Sequence, residues 1–341
     1  MNFPLPLARP SRRRSALLRL TTLALAAAGV GGSTTFASAQ TPTAAWATKP
    51  IRIIVPYTPG GSSDIIARAI SGPLSQALGQ TVLVENRPGA NGNLGTDAVV
   101  RAPADGLTLL LCDVGALAIT PSVYSKLGFD PSKDLTGVTM LAYSPHLLVV
   151  HPSVPANNLK ELVALTQKGE LNFAVTAIGS APHLAGVAVE RATQAKWQYV
   201  PYKGGSQAIG DTVAGQTQVL MNGMLATLPF VQSGKLKVIG VSKATRVPLL
   251  PNVPTIAEQG VGGFESGTWQ GVLVPTGTPP AVLAQLSAEL TRIIRSPEVR
   301  ARLSSQGAEV HTMSPADFRT FFERERKRWA TVVAAGGVKI D

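Results

Sequence analysis

The sequence predicts an α/β protein of two lobes, each built on a mostly parallel sheet flanked by helices. Three observations predict it. Short runs rich in Ile, Val and Leu alternate with amphipathic helical patterns along most of the 341 residues, the arrangement that covers a parallel sheet on both faces. A strand, glycine turn and helix at 51–68 is echoed at 171–184. The chain beyond its first 39 residues is long enough for two ordinary domains.

The first 39 residues read as an export signal. Arg9, Arg12, Arg13, Arg14 and Arg19 form a basic start, Leu20 to Val30 is apolar, and Ala37-Ser38-Ala39 is a small-residue cleavage site. The apolar run is too short for a membrane span, which needs about 20 residues. The paired arginines resemble a twin-arginine signal, but Ser15 and Ala16 stand where that signal prefers a bulky apolar pair, which favours the general secretory route. Residues 40–48 read as a mobile leader. The formal charge of +11 falls to +6 without the five signal arginines, which is too mild to imply nucleic acid. The single cysteine, Cys112, excludes an intrachain disulfide.

Strands are expected at Ile51–Pro56, Thr81–Glu85, Leu107–Cys112, Leu147–His151, Leu171–Val175, Trp197–Val200, Gln218–Met221, Lys237–Val241 and Gly271–Val274. Helices are expected between them at Ser63–Leu78, Gly92–Arg101, Leu159–Lys168, Pro182–Gln194, Ser206–Ala214 and Thr255–Gln259. Leu147–Pro155 suits a crossover between lobes and Gly262–Pro275 the return. Lobe one is therefore placed at 49–148 plus 268–341, and lobe two at 149–267. The C-terminal part is helical. Pro279–Ile294 carries one apolar face, a short helix follows Pro297, and Ser314-Pro315-Ala316-Asp317 supplies an N-cap, a proline at the first helical position and an acid in the first turn. Phe318, Phe321, Phe322, Trp329, Val332 and Val333 then form a stripe that suits docking onto a sheet. The basic run Arg324–Arg328, interleaved with Glu323 and Glu325, reads as a solvated helix face.

The strand-to-helix loops carry the candidate chemistry. Tyr57-Thr58-Pro59-Gly60-Gly61-Ser62-Ser63-Asp64 ends a strand and starts a helix, aiming unpaired N–H groups and a positive helix end at one point. A carboxylate or another small anion suits that point. Ser62 is the expected N-cap. Asp64 suits either dipole stabilisation or the orientation of ligand-bridging waters or a ligand ammonium. The loop lacks the G-K-[ST] ending of a nucleotide phosphate loop. The glycine-rich 89–95 segment reads as a turn that caps a helix, with lining of the cleft as the alternative role.

A second loop, Ala177-Ile178-Gly179-Ser180-Ala181, precedes Pro182. His183 in the following turn fits either an anion donor or a packed cap. Lys203, in a third strand-to-helix loop, fits either a ligand contact or a solvated lysine. Asn222 follows a further strand and is a weaker candidate.

Catalytic readings have little support. Cys112 has no histidine close in sequence. His146, His151, His183 and His311 form no H-E-x-x-H or H-x-H pattern, so neither a metal nor another cofactor is expected. No G-x-S-x-G elbow is present.

The chain from Lys49 onward resembles the Bug/TctC family of extracytoplasmic substrate-binding proteins of tripartite tricarboxylate transporters. The resemblance is carried by Val55-Pro56-Tyr57 to Arg68, Glu85-Asn86-Arg87-Pro88-Gly89-Ala90, Ala104-Asp105-Gly106-Leu107-Thr108-Leu109-Leu110, Gly179-Ser180-Ala181-Pro182-His183-Leu184 and Val200-Pro201-Tyr202-Lys203-Gly204, followed by Leu250-Pro251-Asn252-Val253-Pro254-Thr255 and Gly263-Phe264-Glu265. It implies a type II periplasmic-binding-protein fold with crossover strands as hinge, a periplasmic location and no enzymatic activity. It also implies a small carboxylate held between the Gly60–Asp64 and Ile178–His183 loops, partly through ordered waters, and delivery of that ligand to membrane permease subunits by a monomer. A membrane-bound sensor is the alternative recipient. A hydrolase or lyase using the same cleft, through Cys112 or His183, is the rival class. Met221-Asn222-Gly223-Met224 departs from the family pattern at the lobe-two wall.

Overall fold

The structure is a computed structural model and describes residues 46–340. The expected export signal at 1–39 lies outside the described residues. Residues 46–48 do not behave as a free leader. The Trp46 indole Nε1–H donates to Gln285 Oε1 (2.8 Å) and Ala47 is buried in the main core. An indole offers a large apolar body and one polar tip, and here both find partners.

The chain alternates strands and helices: β1 (Ile51–Val55), α1 (Ser62–Leu78), β2 (Val82–Asn86), α2 (Asn93–Val100) and β3 (Thr108–Asp113). β1 lies between β2 and β3 with parallel pairing on both sides, and its residues are buried with Arg52 the exception. α1 stops at Gly79, which takes the left-handed conformation (φ 66°) that ends helices with least strain. After β3 come a wide helical turn at Gly115–Ile119, then α3 (Thr120–Val123) and α4 (Pro131–Asp134).

β4 (Leu135–Val150) is sixteen residues long and organises the molecule. Its first part pairs antiparallel with β9 (Gly267–Pro275), and β9 pairs antiparallel with β3, which brings β4 into the first sheet. Pairing with β9 ends at Pro145, opposite Gly267, and from His146 onward β4 pairs with β7 (Val219–Gly223) and β8 (Lys237–Val241). One strand thus belongs to two sheets. The second sheet continues from β7 through parallel pairing to β5 (Leu171–Val175) and β6 (Trp197–Pro201). Helices α5 (Leu159–Thr166), α6 (Ala181–Thr193), α7 (Gly205–Val213) and α8 (Met224–Gln232) connect its strands. Each sheet is therefore mixed: three parallel strands joined to antiparallel pairings centred on β4.

The return crossing runs from β8 through 242–266 into β9. The helix expected at Thr255–Gln259 is a turn instead. Thr255 Oγ1 accepts from the Glu258 N–H (3.0 Å) and Glu258 Oε2 from the Thr255 N–H (2.6 Å), a closed capping pair. Gly260 (φ 105°) and Gly263 (φ 70°) then stop propagation.

The C-terminal elements α9 (Pro280–Arg295), α10 (Pro297–Ser304), β10 (Glu309–Val310) and α11 (Pro315–Gly336) return to the first sheet. Ser314 Oγ accepts from the Asp317 N–H (3.1 Å) as the expected cap. Phe318, Phe322, Trp329 and Val333 are buried in the main core. The indole N–H groups of Trp269 and Trp329 both donate to Glu325 Oε2, at 3.1 and 3.2 Å, so this buried carboxylate is satisfied from two sides.

Candidate ligand-binding cavity

Where the two sheets meet, a cavity of about 40 Å³ lies between their strand-to-helix loops. Four helices begin at its wall. Gly61, Ser62 and Ser63 come from the start of α1, Ser180, Ala181 and Pro182 from α6, Gly205 from α7, and Gly223 from the residue preceding α8. Each start exposes N–H groups that the helix cannot satisfy itself and carries the positive end of its dipole. Among the described residues the wall contains no lysine, arginine or histidine side chain. Its attraction for an anion therefore comes from backbone rather than from cations.

The first loop is held from behind. Gly60 takes φ 83°, and its N–H donates to Asp64 Oδ2 (2.9 Å). Arg68 Nε donates to the same oxygen (2.9 Å), and Asn86 Nδ2 donates to Asp64 Oδ1 (2.9 Å). Burial raises the Asp64 pKa, but the Arg68, Gly60 and Asn86 hydrogen bonds outweigh it and hold the carboxyl below the usual range. Gly60 and Asp64 therefore stand outside the cavity wall and fix the turn that presents Gly61, Ser62 and Ser63. No side chain caps α1, so its first-turn N–H groups are left for a ligand or water.

The second loop is held in the same manner. Ser180 Oγ donates to the Ala177 carbonyl (2.7 Å) and accepts from the His183 N–H (3.4 Å). The Gly179 N–H donates to His183 Nδ1 (3.1 Å), and the His183 ring meets Tyr199 edge-on at 4.6 Å. Burial lowers the His183 pKa to about 4, which keeps the ring neutral. His183 and Gly179 are thus engaged within the loop rather than in the wall. Ile178 packs against the second core. Lys203 is exposed and outside the wall.

Of the residues singled out in the sequence, Tyr57, Gly61, Ser62, Ser63, Ser180, Ala181 and Asn222 line the cavity. Gly60, Asp64, Ile178, Gly179, His183 and Lys203 do not. The wall also contains Asn91, Asp113, Gly115, Thr176, Pro182, Gly205, Gly223, Thr268 and Gln270. Asn91 belongs to the glycine-rich 89–95 turn, and Gly205 and Gly223 to loops with a visible strand-to-helix pattern. Asp113 and Gln270 had no local signal: they face each other in the β3–β9 register, and only that pairing brings them to the site.

Asp113 is the one charged side chain in the wall among the described residues. Its Oδ1 accepts from Tyr57 Oη (2.5 Å) and from the Gly115 N–H (2.8 Å). Burial raises its pKa to about 6, against the pull of the Tyr57 and Gly115 hydrogen bonds. Cys112, next to it, is fully buried, and burial together with the Asp113 charge pushes its thiol pKa well up. A protonated, enclosed thiol is a poor nucleophile. Among the described residues no cluster of three or more His, Cys, Asp or Glu side chains is placed to hold a metal ion.

The two halves touch across the cavity. Thr58 Oγ1 lies 2.7 Å from Ser206 Oγ, and Asn91 Nδ2 donates to the Gly179 carbonyl (3.2 Å). Farther out, Arg191 of α6 donates to the carbonyls of Ala335 and Gly336 at the end of α11. The cleft is closed.

The model of the tripartite tricarboxylate transporter family receptor matches residues 66–338. Protein BugT of Bordetella pertussis is 36% identical over 295 residues, covering 86% of this chain and 90% of its own. Among solved structures, the periplasmic binding protein BugD superposes with a TM-score of 0.82 at 32% identity, covering 86% of this chain and 99% of its own. An R. palustris protein solved with adipate superposes at 0.83 with 33% identity and the same coverage. The fold is thus the two-lobed α/β fold of periplasmic binding proteins.

Proposed function

Because this chain belongs to the tripartite tricarboxylate transporter receptor family, we propose that it is a periplasmic solute-binding protein that closes on a small carboxylate and delivers it to the membrane permease subunits of a tripartite transporter. The observation that carries this reading is the convergence of four helix starts on one cavity whose wall, among the described residues, holds no basic side chain. A carboxylate there accepts hydrogen bonds from first-turn N–H groups, above all those of α1 and α7, which no side chain caps, and it does so best when both loops are in reach. The adipate in the R. palustris relative is consistent with this ligand class. No helix among the described residues is long and apolar enough to cross a membrane.

The lobes in this reading are 49–148 plus 268–341, and 149–267. The pairing switch on β4 at Pro145–His146 and the start of β9 at Gly267 support this division, as candidates for its two crossings. Closure then links ligand to conformation: a carboxylate bound by both loops favours the closed form because each loop alone offers half of its coordination.

Isothermal titration against a panel of mono-, di- and tricarboxylates, with small-angle scattering on the same samples, tests the reading. The expected result is one-to-one binding of at least one small carboxylate at micromolar affinity, which corresponds to about −8 kcal/mol, with a fall in radius of gyration. A flat response from every acid in the panel would sink it. Recovery of the ligand unchanged after incubation separates a receptor from a hydrolase or lyase.

A further inference from the structure

Four helix starts account for a carboxylate in the cavity. They do not account for a second set of polar groups in its wall, Asp113, Gln270 and Asn91. Asp113 brings a negative charge. Gln270, its partner in the β3–β9 register, is fully buried, and neither atom of its side-chain amide has a hydrogen-bond partner in the protein. Asn91 is buried as well, and its Oδ1 has no partner. The orientation of that amide is settled by its other end: Asn91 Nδ2 donates to the Gly179 carbonyl, which accepts only. Asp113, Asn91 and Tyr57 lie close together. A Cβ built on Gly115 would stand 3.0 Å from Asp113 Oδ1, 3.4 Å from Asn91 Oδ1 and 3.4 Å from Tyr57 Oη.

Buried amide atoms without partners are rare and call for an explanation. A ligand carboxylate alone answers only Gln270 Nε2, which donates; it leaves Gln270 Oε1 and Asn91 Oδ1 without a donor and puts a second negative charge beside Asp113. An ammonium or iminium group supplies the missing N–H donors and a positive charge that pairs with the Asp113 carboxylate, so a ligand carrying both groups meets both demands. We propose that Asp113, with Asn91 and Gln270, makes this cavity select a carboxylate that carries a cationic nitrogen, a zwitterion, over a dicarboxylate of the same length. Asp113 is then the residue that sets ligand charge, while the helix starts hold the carboxylate common to both classes.

The inference rests on the solute-binding reading above and can fail separately from it. The probes are length-matched pairs. The amino acids from 3-aminopropanoate to 6-aminohexanoate, together with α-amino acids, are titrated at pH 7.5 beside the dicarboxylates from malonate to adipate. The wild-type protein is expected to bind at least one zwitterion about tenfold or more tighter than its dicarboxylate counterpart. Asp113→Asn is expected to weaken that zwitterion by a similar factor and to narrow or invert the preference. Gln270→Leu, which removes the unpartnered amide without touching charge, is expected to weaken the same zwitterion more than the dicarboxylate. Tighter binding of dicarboxylates by the wild type overturns the inference without any variant, and so does an unchanged preference in a folded Asp113→Asn protein. Binding of no acid in either series overturns both this inference and the carboxylate reading beneath it.

Discussion

Thr58 Oγ1 and Ser206 Oγ lie 2.7 Å apart although 148 residues separate them in the chain. The contact joins the first loop to the start of α7, and it is possible because Gly204 stands beside it. A Cβ on Gly204 would lie 2.8 Å from the Thr58 backbone nitrogen and closer still to Thr58 Oγ1. The hydroxyl can rotate away, but the backbone cannot. Gly204→Val is therefore expected to hold the cleft ajar. The measurement is scattering plus calorimetry: a larger radius of gyration with saturating ligand and affinity lower by about tenfold or more, at near wild-type melting temperature. Thr58→Val keeps the shape and removes the hydroxyl. One ordinary hydrogen bond contributes about 0.5–1.5 kcal/mol, so a loss of up to roughly tenfold in affinity is expected.

Asp64 governs the first loop from behind its wall. Asp64→Asn removes the charge that Arg68 Nε and the Gly60 N–H address. Hydrogen bonds to charged groups are each worth about 1.5–3 kcal/mol, and Arg68 is half exposed, which discounts its share. Thermal unfolding is expected to show a loss nearer to the lower figure at pH 7, together with weaker ligand binding as Gly61–Ser63 loosen. The native pKa of Asp64 is depressed. Its contribution is therefore present above the unfolded value of about 3.9 and is lost as pH falls through the native one. The gap between wild type and Asp64→Asn should close below that range.

His146 predicts the behaviour at mild acid. It sits at the pairing switch on β4, fully buried, with Nε2 2.7 Å from Thr268 Oγ1 and Nδ1 3.0 Å from Ser266 Oγ. Its backbone N–H donates to Ser242 Oγ (2.8 Å). Both crossings are thereby tied through one neutral ring. Burial lowers the His146 pKa to about 3, so the native state resists its protonation. Stability from this group is complete above the unfolded value of about 6.5 and falls as pH drops from there toward 3. His183, lowered to about 4 by burial, acts with the same sign. Asp113, raised to about 6, acts with the opposite sign, since the native state binds its proton more readily than the unfolded chain. Melting temperature is expected to fall between pH 6 and 4, with a shallower slope in His146→Gln and a steeper one in Asp113→Asn. Equal slopes in all three proteins would contradict the assignment.

How much of this was legible in the sequence follows from how local each feature is. The loops at Gly60–Ser63 and Gly179–Ala181 announce themselves because a buried strand, a glycine and an amphipathic helix occur within twenty residues. Asp113 and Gln270 do not, because each looks like an ordinary strand residue until β3 and β9 pair. The first part of β4 was missed for a related reason. Thr136, Gly137 and Pro145 dilute its apolar character, and its length makes sense only as a strand shared by two sheets. α8 was missed because it is apolar on nearly every side and contains Pro229, so no periodicity marks it. His183 and Lys203 had the right chemistry for an anion. Side-chain direction, which sequence spacing does not encode, turns one toward Gly179 and leaves the other in solvent.

Phe318 supplies the final prediction, on the attachment of α11. Its place on the apolar stripe was readable, but not its seat. The ring lies over two glycines on neighbouring strands: a Cβ on Gly137 of β4 would come within 2.5 Å of Phe318 Cδ1, and one on Gly271 of β9 within 2.5 Å of Phe318 Cζ. Trp269 meets the same ring edge-on at 5.9 Å. The glycines are needed for space rather than for backbone angle, since neither has a positive φ. Gly271→Ala and Gly137→Ala are expected to destabilise by overpacking, typically about 1–3 kcal/mol. Phe318→Ala should cost about 3–5 kcal/mol through the cavity it leaves. If the contact is the cause, Gly271→Ala combined with Phe318→Leu should recover part of the loss of the glycine variant, because the shorter side chain gives up the space that the new methyl needs. Denaturant unfolding of the wild type, Gly271→Ala, Phe318→Leu and the double variant checks this. Strict additivity of the two changes would mean that Phe318 and Gly271 do not share a seat.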